Sequence, residues 1–413
     1  MKKIVVIGGG ASGMMAASAA TQAGADVVLL EKNSELGKKI LITGGGRCNI
    51  TNIDDAQAMM AKIPRNSRFL HSSLRNFDSA TTIEFFRGIG LKTKVESGGK
   101  VFPQSDDAGD VVAAMSAHLR RLGVKIELDC AVAQNVPRGT FFDIATSGKN
   151  IRADAVIIAT GGLSAPHTGS DGDGHRIAKT MGHDVTKLNP ALVSLIVEGV
   201  TGLMGLSAEA AMAAEVDGKV VFKGRGDVMF THYGLSGPLV LSASAYLTEK
   251  MHLQPEICLD FVPDMTAKEL DRQILDVFNR NMNKDAKNVL AESLLPQRLI
   301  AALFGASGMD ADTKVRDVNK SQRESFCRSV KAFRLKVSGT AGFESAVITC
   351  GGVDVKQINP STMASKIVPG LYFAGELLDV HGLTGGYNLQ IAFSTGYLAG
   401  KSAASAVMEG LDD

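Results

Sequence analysis

The stretch from Lys3 to Glu31 constrains this chain more than any other. Ile4-Val5-Val6-Ile7 is a β-branched run of the kind that forms a strand buried on both faces. Gly8-Gly9-Gly10-Ala11-Ser12-Gly13 follows at once, giving G-x-G-x-x-G with glycines at 8, 10 and 13. The alanines from Ala16 onward predict a helix, Gly24 ends it, and Val27 to Leu30 reads as a second strand closing on Glu31. A glycine-rich turn alone is common; strand, turn, helix, strand and terminal acid in this order are not. An anion at a helix N-terminus must approach backbone N–H groups, so the turn has to lack side chains. An acid about 20 residues further on can accept hydrogen bonds from a ribose diol. The order therefore predicts a dinucleotide-binding βαβ unit. Gly8, Gly10, Ala11, Ser12 and Gly13 would hold a pyrophosphate, and Glu31, with Lys32 beside it, the adenosine ribose. The competing reading, a secretory signal peptide, needs a continuous apolar helix that three consecutive glycines would spoil.

At 413 residues the chain exceeds one ordinary core and suits two or three domains. A net charge of +1 and no lysine or arginine run with interleaved aromatics give no electrostatic case for nucleic acid or an anionic membrane. The five cysteines, Cys48, Cys130, Cys258, Cys327 and Cys350, are odd in number and contain no C-x-x-C pair. That pattern argues against a disulfide framework, a zinc ribbon or a dithiol centre and favours a reducing, cytoplasmic location. Val228 to Thr248 carries no charge, yet Thr231, His232, Ser236 and the Gly237-Pro238 break do not suit a bilayer core.

Two nucleotide-binding signals recur later. "DAVIIATGG" (Asp154 to Gly162) is a buried strand with a small-residue turn, which brings in Thr160 and Gly161, and "GLYFAGELLDVHGLTGGYNLQIAFSTGYLAG" (Gly370 to Gly400) is another strand, turn and helix. Together they resemble the paired motifs of two-dinucleotide-binding-domain flavoproteins. That likeness implies that Glu376, after Gly375, contacts the ribityl-pyrophosphate region, and that Val132 in "IELDCAVAQNV" contacts the adenine. A helix beginning near Tyr387-Asn388, after Gly385-Gly386, would aim its positive end at a flavin, with Gly386, Asn388 and Leu389 beside the ring.

Five blocks in order, "LGKKILITGGGRCNITN" (Leu36 to Asn52), "VFPQSDDA" (Val101 to Ala108), "ATGGLSAPHTGSDGDGH" (Ala159 to His175), "FTHYGLSGP" (Phe230 to Pro238) and "GELLDVHGLTGGYNLQ" (Gly375 to Gln390), resemble the BaiN-like (YhiN-like) NAD(P)/FAD-dependent flavoproteins. The resemblance covers nearly the whole chain. It implies an α/β fold in which a Rossmann-like FAD-binding domain is interrupted by an inserted β-rich domain with a helical subdomain. It implies noncovalent FAD and places Lys38, Arg47, Cys48 and Asn49 near the flavin. Members have been linked to reduction of unsaturated steroid-like ketones and to amine oxidation such as that of aminoacetone, so membership leaves the substrate open.

The blocks also have a chemistry of their own. Backbone donors beside a permanent guanidinium, as in "TGGGRCN", suit a pyrophosphate or a flavin edge. Cys48, with no partner cysteine, reads as a packing residue rather than a redox centre. "PHTGSDGDGH" has a D-x-D-G resembling a calcium loop but lacks the remaining ligands, so no metal is expected. His232, His381 and Tyr387 are the candidate proton-handling groups for hydride chemistry.

After Pro190 short strands with glycine turns predict an antiparallel, barrel-like domain, and "TAKELDRQILDVFNRNM" predicts a helix capped by Thr266. The expected division is 1–189 with 356–413 for the cofactor domain, 190–263 with 333–355 for the β-rich insert, and 264–332 for a helical portion. No second complete G-x-G-x-x-G follows a strand in the insert, so NAD(P)H would bind transiently in the substrate cleft, or the substrate would reduce the flavin and oxygen reoxidise it. The expected activity is an FAD-dependent reduction of an activated C=C bond in a small or steroid-like ketone. An amine oxidase is the alternative of the same class, and a flavin-dependent RNA-modifying or regulatory nucleotide-binding protein the alternative of another.

Overall fold

The computed structural model describes residues 2–138, 141–310 and 312–409. The chain divides into two compact units, one formed by 1–191 and 342–413 and the other by 192–341.

The first unit is built on a five-stranded parallel sheet. Its order is Leu371–Phe373, Ala155–Ile158, β1 (Lys3–Ile7), β2 (Asp26–Leu30) and Lys125–Glu127. β1 and its neighbours are buried on both faces, which is why they read as unbroken apolar runs. The strand order reverses between β1 and Ala155–Ile158, and such a switch point opens a crevice at the carboxyl ends of the strands. The helix α1 (Ala11–Gln22) crosses from β1 to β2 and packs on the long C-terminal helix Tyr387–Glu409. Glycines set that approach: a Cβ on Gly396 would stand 2.3 Å from the Ser12 carbonyl oxygen, and one on Gly400 2.2 Å from that of Ala16. Four residues apart on each helix, these pairs let two backbones touch, so the alanine-rich run of α1 is a packing surface.

The second unit is a closed six-stranded antiparallel barrel, in the order Leu195–Val197, Gly234–Ser236, Lys219–Phe230, Ser207–Val216, Glu256–Asp260 and Phe333–Thr340. Among the described residues four helices, Ala267–Asn279, Ala286–Ser293, Gln297–Ser307 and Lys320–Lys331, fall between its last two strands. Thr266 caps the first of them in a reciprocal box with Glu269, as the sequence predicts. Barrel residues such as Leu259 and helical residues such as Leu270 and Phe304 share one buried cluster, so the helices have no core of their own.

A mixed α/β protein with a β-rich insert is therefore present, and its seams lie elsewhere than the sequence pattern suggests. The segment 342–355 looks like a continuation of the insert but belongs to the cofactor unit. Its strand Ile348–Cys350 pairs antiparallel with Asn189–Ala191, and Thr349 bonds into the cofactor unit's cleft. Among the described residues no helix is long and apolar enough to cross a membrane; Val228 to Thr248 forms a strand end, a short strand and the helix Pro238–Leu247.

Candidate functional site

A cleft of about 1170 Å³, counting the solvent space at its mouth, runs along the switch point of the parallel sheet. Its floor is the β1–α1 turn. Gly8 has φ +105°, and a Cβ there would lie 2.6 Å from the Ala159 oxygen; a Cβ on Gly13 would lie 1.8 Å from the Gly8 oxygen. A Cβ on Gly10 would meet nothing within 4 Å, because that position faces open space. Gly10 caps α1 without a side-chain hydrogen bond, and the first turn holds no acid. The leading N–H groups of α1 thus face the cleft without an internal anion, the arrangement that receives a diphosphate.

Glu31, directly after β2, is 8% exposed and takes Gly9 N–H at 2.7 Å on one oxygen, and Asn33 N–H and Nδ2 at 2.8 Å on the other. These bonds tie the glycine turn to the second strand and fix the carboxylate at one end of the cleft. Beside it Lys32 reaches Asp171 at 2.9 Å and Asp173 at 3.0 Å, and Asn33 Nδ2 donates to the Thr168 carbonyl. Cys130, Val132, Gly169 and Ser170 complete this end.

Farther along, Lys39 Nζ lies 2.7 Å from Glu376 Oε2 and 2.7 Å from Ser164 Oγ. Glu376 Oε1 accepts from Ser164 Oγ at 2.7 Å and from Thr349 N–H at 2.9 Å. Burial alone would raise the Glu376 pKa; the Lys39 charge and hydrogen bonds from Lys39, Ser164 and Thr349 outweigh it and hold the carboxyl below its ordinary range. Val347, Ile348, Val380 and the first turn of the C-terminal helix, with Asn388 and Leu389, form the remaining wall. Asn388 shapes that turn by accepting from Gly382 N–H and donating to the Gly382 and Leu383 carbonyls.

Of the residues singled out by sequence, Gly8, Gly10, Ala11, Ser12, Glu31, Lys32, Lys38, Val132, Thr160, Gly161, Glu376, Asn388 and Leu389 line this one cleft. Gly13, Gly375 and Gly386 stand behind its walls as contact points: a Cβ on Gly375 would strike Ser12 Oγ at 2.4 Å, and one on Gly386 the Thr51 oxygen at 2.4 Å. Asn49 is half-buried behind the lining, with Oδ1 2.9 Å from the same Gly386 position.

Other residues singled out by sequence lie outside this lining. Arg47 does not line the cleft; its guanidinium is engaged by Glu96 and Asp106 and lies 4.3 Å over the Phe102 ring. Cys48 is fully buried, and burial pushes its thiol up to about 12, so it is inert packing. Tyr387 donates its hydroxyl to Asp54 at 2.8 Å, and burial together with that carboxylate raises its pKa. His381 is 2% exposed and bridges its backbone to Arg65, away from the cleft lining. His232 lies on the insert, exposed and edge-on to Tyr233. Lys39, Asn33, Ser164, Thr349 and Asp173 carry much of the site's polar structure without a sequence signal of their own. No group of three His, Cys, Asp or Glu side chains that could hold a metal occurs among the described residues.

FAD fits the cleft on these observations: an uncapped helix start above a side-chain-free turn, a buried acid at the end of β2, and a Thr160 hydroxyl that is buried in the wall without a partner.

Comparison with known proteins agrees. A model of the HI0933-like protein Rossmann domain matches residues 2–402. The chain is 37% identical to the 3-dehydro-bile acid delta(4,6)-reductase of Clostridium scindens, over 98% of this chain and 99% of that protein. It is 32% identical to the ribosomal RNA dihydrouridine synthase of Escherichia coli, over 97% and 98%. Among solved structures, the 3-ketosteroid-delta4-(5alpha)-dehydrogenase from Rhodococcus jostii RHA1 shares the fold, at 17% identity and a TM-score of 0.51, over 98% of this chain and 97% of that one. The chain therefore belongs to the HI0933-like Rossmann-domain family, the FAD-dependent oxidoreductases that its five motif blocks resemble.

Proposed function

We propose that this FAD-dependent oxidoreductase reduces a C=C bond conjugated to a carbonyl in a small, steroid-like ketone, with NADH or NADPH as a transient electron donor. The observation that carries the reading is the 37% identity, along nearly the full length of both chains, to an enzyme named for reducing a 3-dehydro-bile acid. The wall formed by Val347, Ile348, Val380 and Leu389 suits an apolar substrate, and the insert has as many acidic as basic side chains, so it has no net charge to draw a polyanion.

In this reading the N–H groups of α1 and Ser12 take the diphosphate, Glu31 the ribose and Val132 the adenine, and Glu376, Asn388 and Leu389 hold the ribityl and ring end. Bound FAD would supply a ring able to take a hydride from the nicotinamide and give it to the electron-poor carbon of the double bond, with a proton from water completing the reduction at the neighbouring carbon. The chain's own task is to orient that ring, to keep water from it with the apolar wall, and to stabilise the charge of the reduced state with the helix start at Asn388, a contribution of about 0.3–1 kcal/mol.

A second reading has an observation in its favour. The Escherichia coli relative is named for making dihydrouridine in ribosomal RNA, and uracil also carries a C=C bond conjugated to a carbonyl. One chemistry thus serves both relatives, and the substrate divides them. Anaerobic stopped-flow mixing with NADH and NADPH, followed by a steroid 4-en-3-one or by unmodified ribosomal RNA, separates the cases. Bleaching of the flavin band by a nicotinamide, reversed by the enone, is the expected result. Recovery with RNA and appearance of dihydrouridine by mass spectrometry would transfer the assignment to the second reading. Bleaching by amines alone would overturn both in favour of an oxidase.

A further inference from the structure

We propose, on the reading that the cleft holds FAD, that Lys39 is the cation that sets the reduction potential of the bound flavin, with Glu376 as its opposing charge. Lys39 begins one residue into the four-residue helix Lys38–Leu41, after Gly37 with φ +69°. Its ammonium is anchored by Glu376 and Ser164, each at 2.7 Å, which uses two of its three donors and leaves one for a ligand. The carboxylate is fixed in turn by Ser164 and by Thr349 N–H, and Thr349 Oγ1 accepts from Leu163 and Ser164 N–H. Four separate segments of the cofactor unit, around residues 39, 164, 349 and 376, thus meet in one hydrogen-bonded ion pair.

With the adenosine at Glu31, as proposed above, the pair falls on the flavin side of the cleft. Ser164 Oγ also reaches the Val347 carbonyl, and Val347 and Ile348 line the wall beside it. At the opposite end the other charged pair, Lys32 with Asp173, stands beside Glu31. Lys39 and Glu376 retain 24% and 20% side-chain exposure, and both line the cleft, so their residual exposure is to whatever occupies it. Reduction adds electron density to the ring; a fixed cation favours the reduced state and a fixed carboxylate opposes it, most strongly where water is excluded. A rigid pair at that position makes the potential depend on the difference between two large effects, so removing either member moves it in a predictable direction.

The test uses the FAD-loaded full chain and its midpoint potential, measured by reductive titration against a reference dye, without any substrate. Lys39→Met is expected to lower the potential, Glu376→Gln to raise it, and Lys39→Arg, which keeps the charge, to leave it near that of the parent. Equal shifts in Lys39→Met and Lys39→Arg, or an unchanged potential in loaded Lys39→Met, would overturn the proposal. Should Lys39→Met fail to take up flavin, Glu376→Gln decides: a potential that does not rise overturns it equally. A parent protein that binds no FAD would refute the cofactor reading instead, and the two failures are distinguished by colour before any titration begins.

Discussion

The cofactor unit and the insert are stabilised alike, by buried apolar clusters, yet they differ in what their backbones must do. Along the β1–α1 turn Gly8 and Gly13 are fixed by contacts shorter than any Cβ could make, and Gly10 leaves the helix start open to the cleft. In the insert Gly218, with φ +71°, serves conformation alone, since an added Cβ there would have nothing within 4 Å, whereas Gly234 is fixed by packing, a Cβ there standing 2.0 Å from the Leu195 oxygen. Gly13 is dictated by packing at a helix start, Gly218 only by a bend.

The most drastic way to break that comparison is a matched pair of substitutions. Gly13→Val would drive carbon into the Gly8 carbonyl oxygen, closing the turn against the start of α1, and purified protein is expected to carry no measurable flavin. Gly218→Ala adds only left-handed backbone strain, about 1–2 kcal/mol, with flavin content at the parent level. Absorbance of the flavin band against protein concentration reads both. Flavin retained in Gly13→Val would show that the turn does not form the diphosphate cradle.

Acid separates the two regions next. His118, His175 and His183 are buried, all in the cofactor unit, and burial lowers the pKa of each below 6.5; the insert's His232 and His252 are exposed. With folded-state values below the unfolded one, their contribution to stability is complete above about pH 6.5 and is lost as pH falls through the folded values. Pulse proteolysis with peptide mapping at pH 8 and pH 5.5 is expected to show the cofactor unit weakening more than the insert. Equal loss in both units would mean that these imidazoles do not govern the acid response.

The same contrast explains what the sequence could reveal. Gly8, Gly10, Gly13 and Glu31 were legible because backbone recognition leaves a fixed order in neighbouring residues. The closed barrel was legible as short strands, but its union with the helices in one core was not, since Leu259 and Phe304 find each other only through tertiary packing. Lys39 was invisible for a different reason. It adjoins Lys38 in a helix too short to show a period, and its partner Glu376 lies 337 residues away. Nothing local tells which of two adjacent lysines meets that carboxylate.

Arg47 is the converse case, and it supplies the smallest expected effect. A guanidinium within a glycine-rich loop looks like a phosphate or flavin ligand, but Glu96 and Asp106, 49 and 59 residues away, engage its Nε and Nη2, and Lys94 joins the same carboxylates. The side chain is 37% exposed, so the network is screened by solvent and contributes little to stability. Arg47→Met is therefore expected to leave the FAD dissociation constant within about threefold of the parent, the range in which exposed ion pairs operate. Fluorescence titration of apoprotein with FAD measures it. A loss of a hundredfold or more would return Arg47 to the cofactor and require the loop 43–49 to swing from its carboxylate partners when FAD binds; an unchanged constant would confine recognition to the backbone and the few side chains that line the cleft.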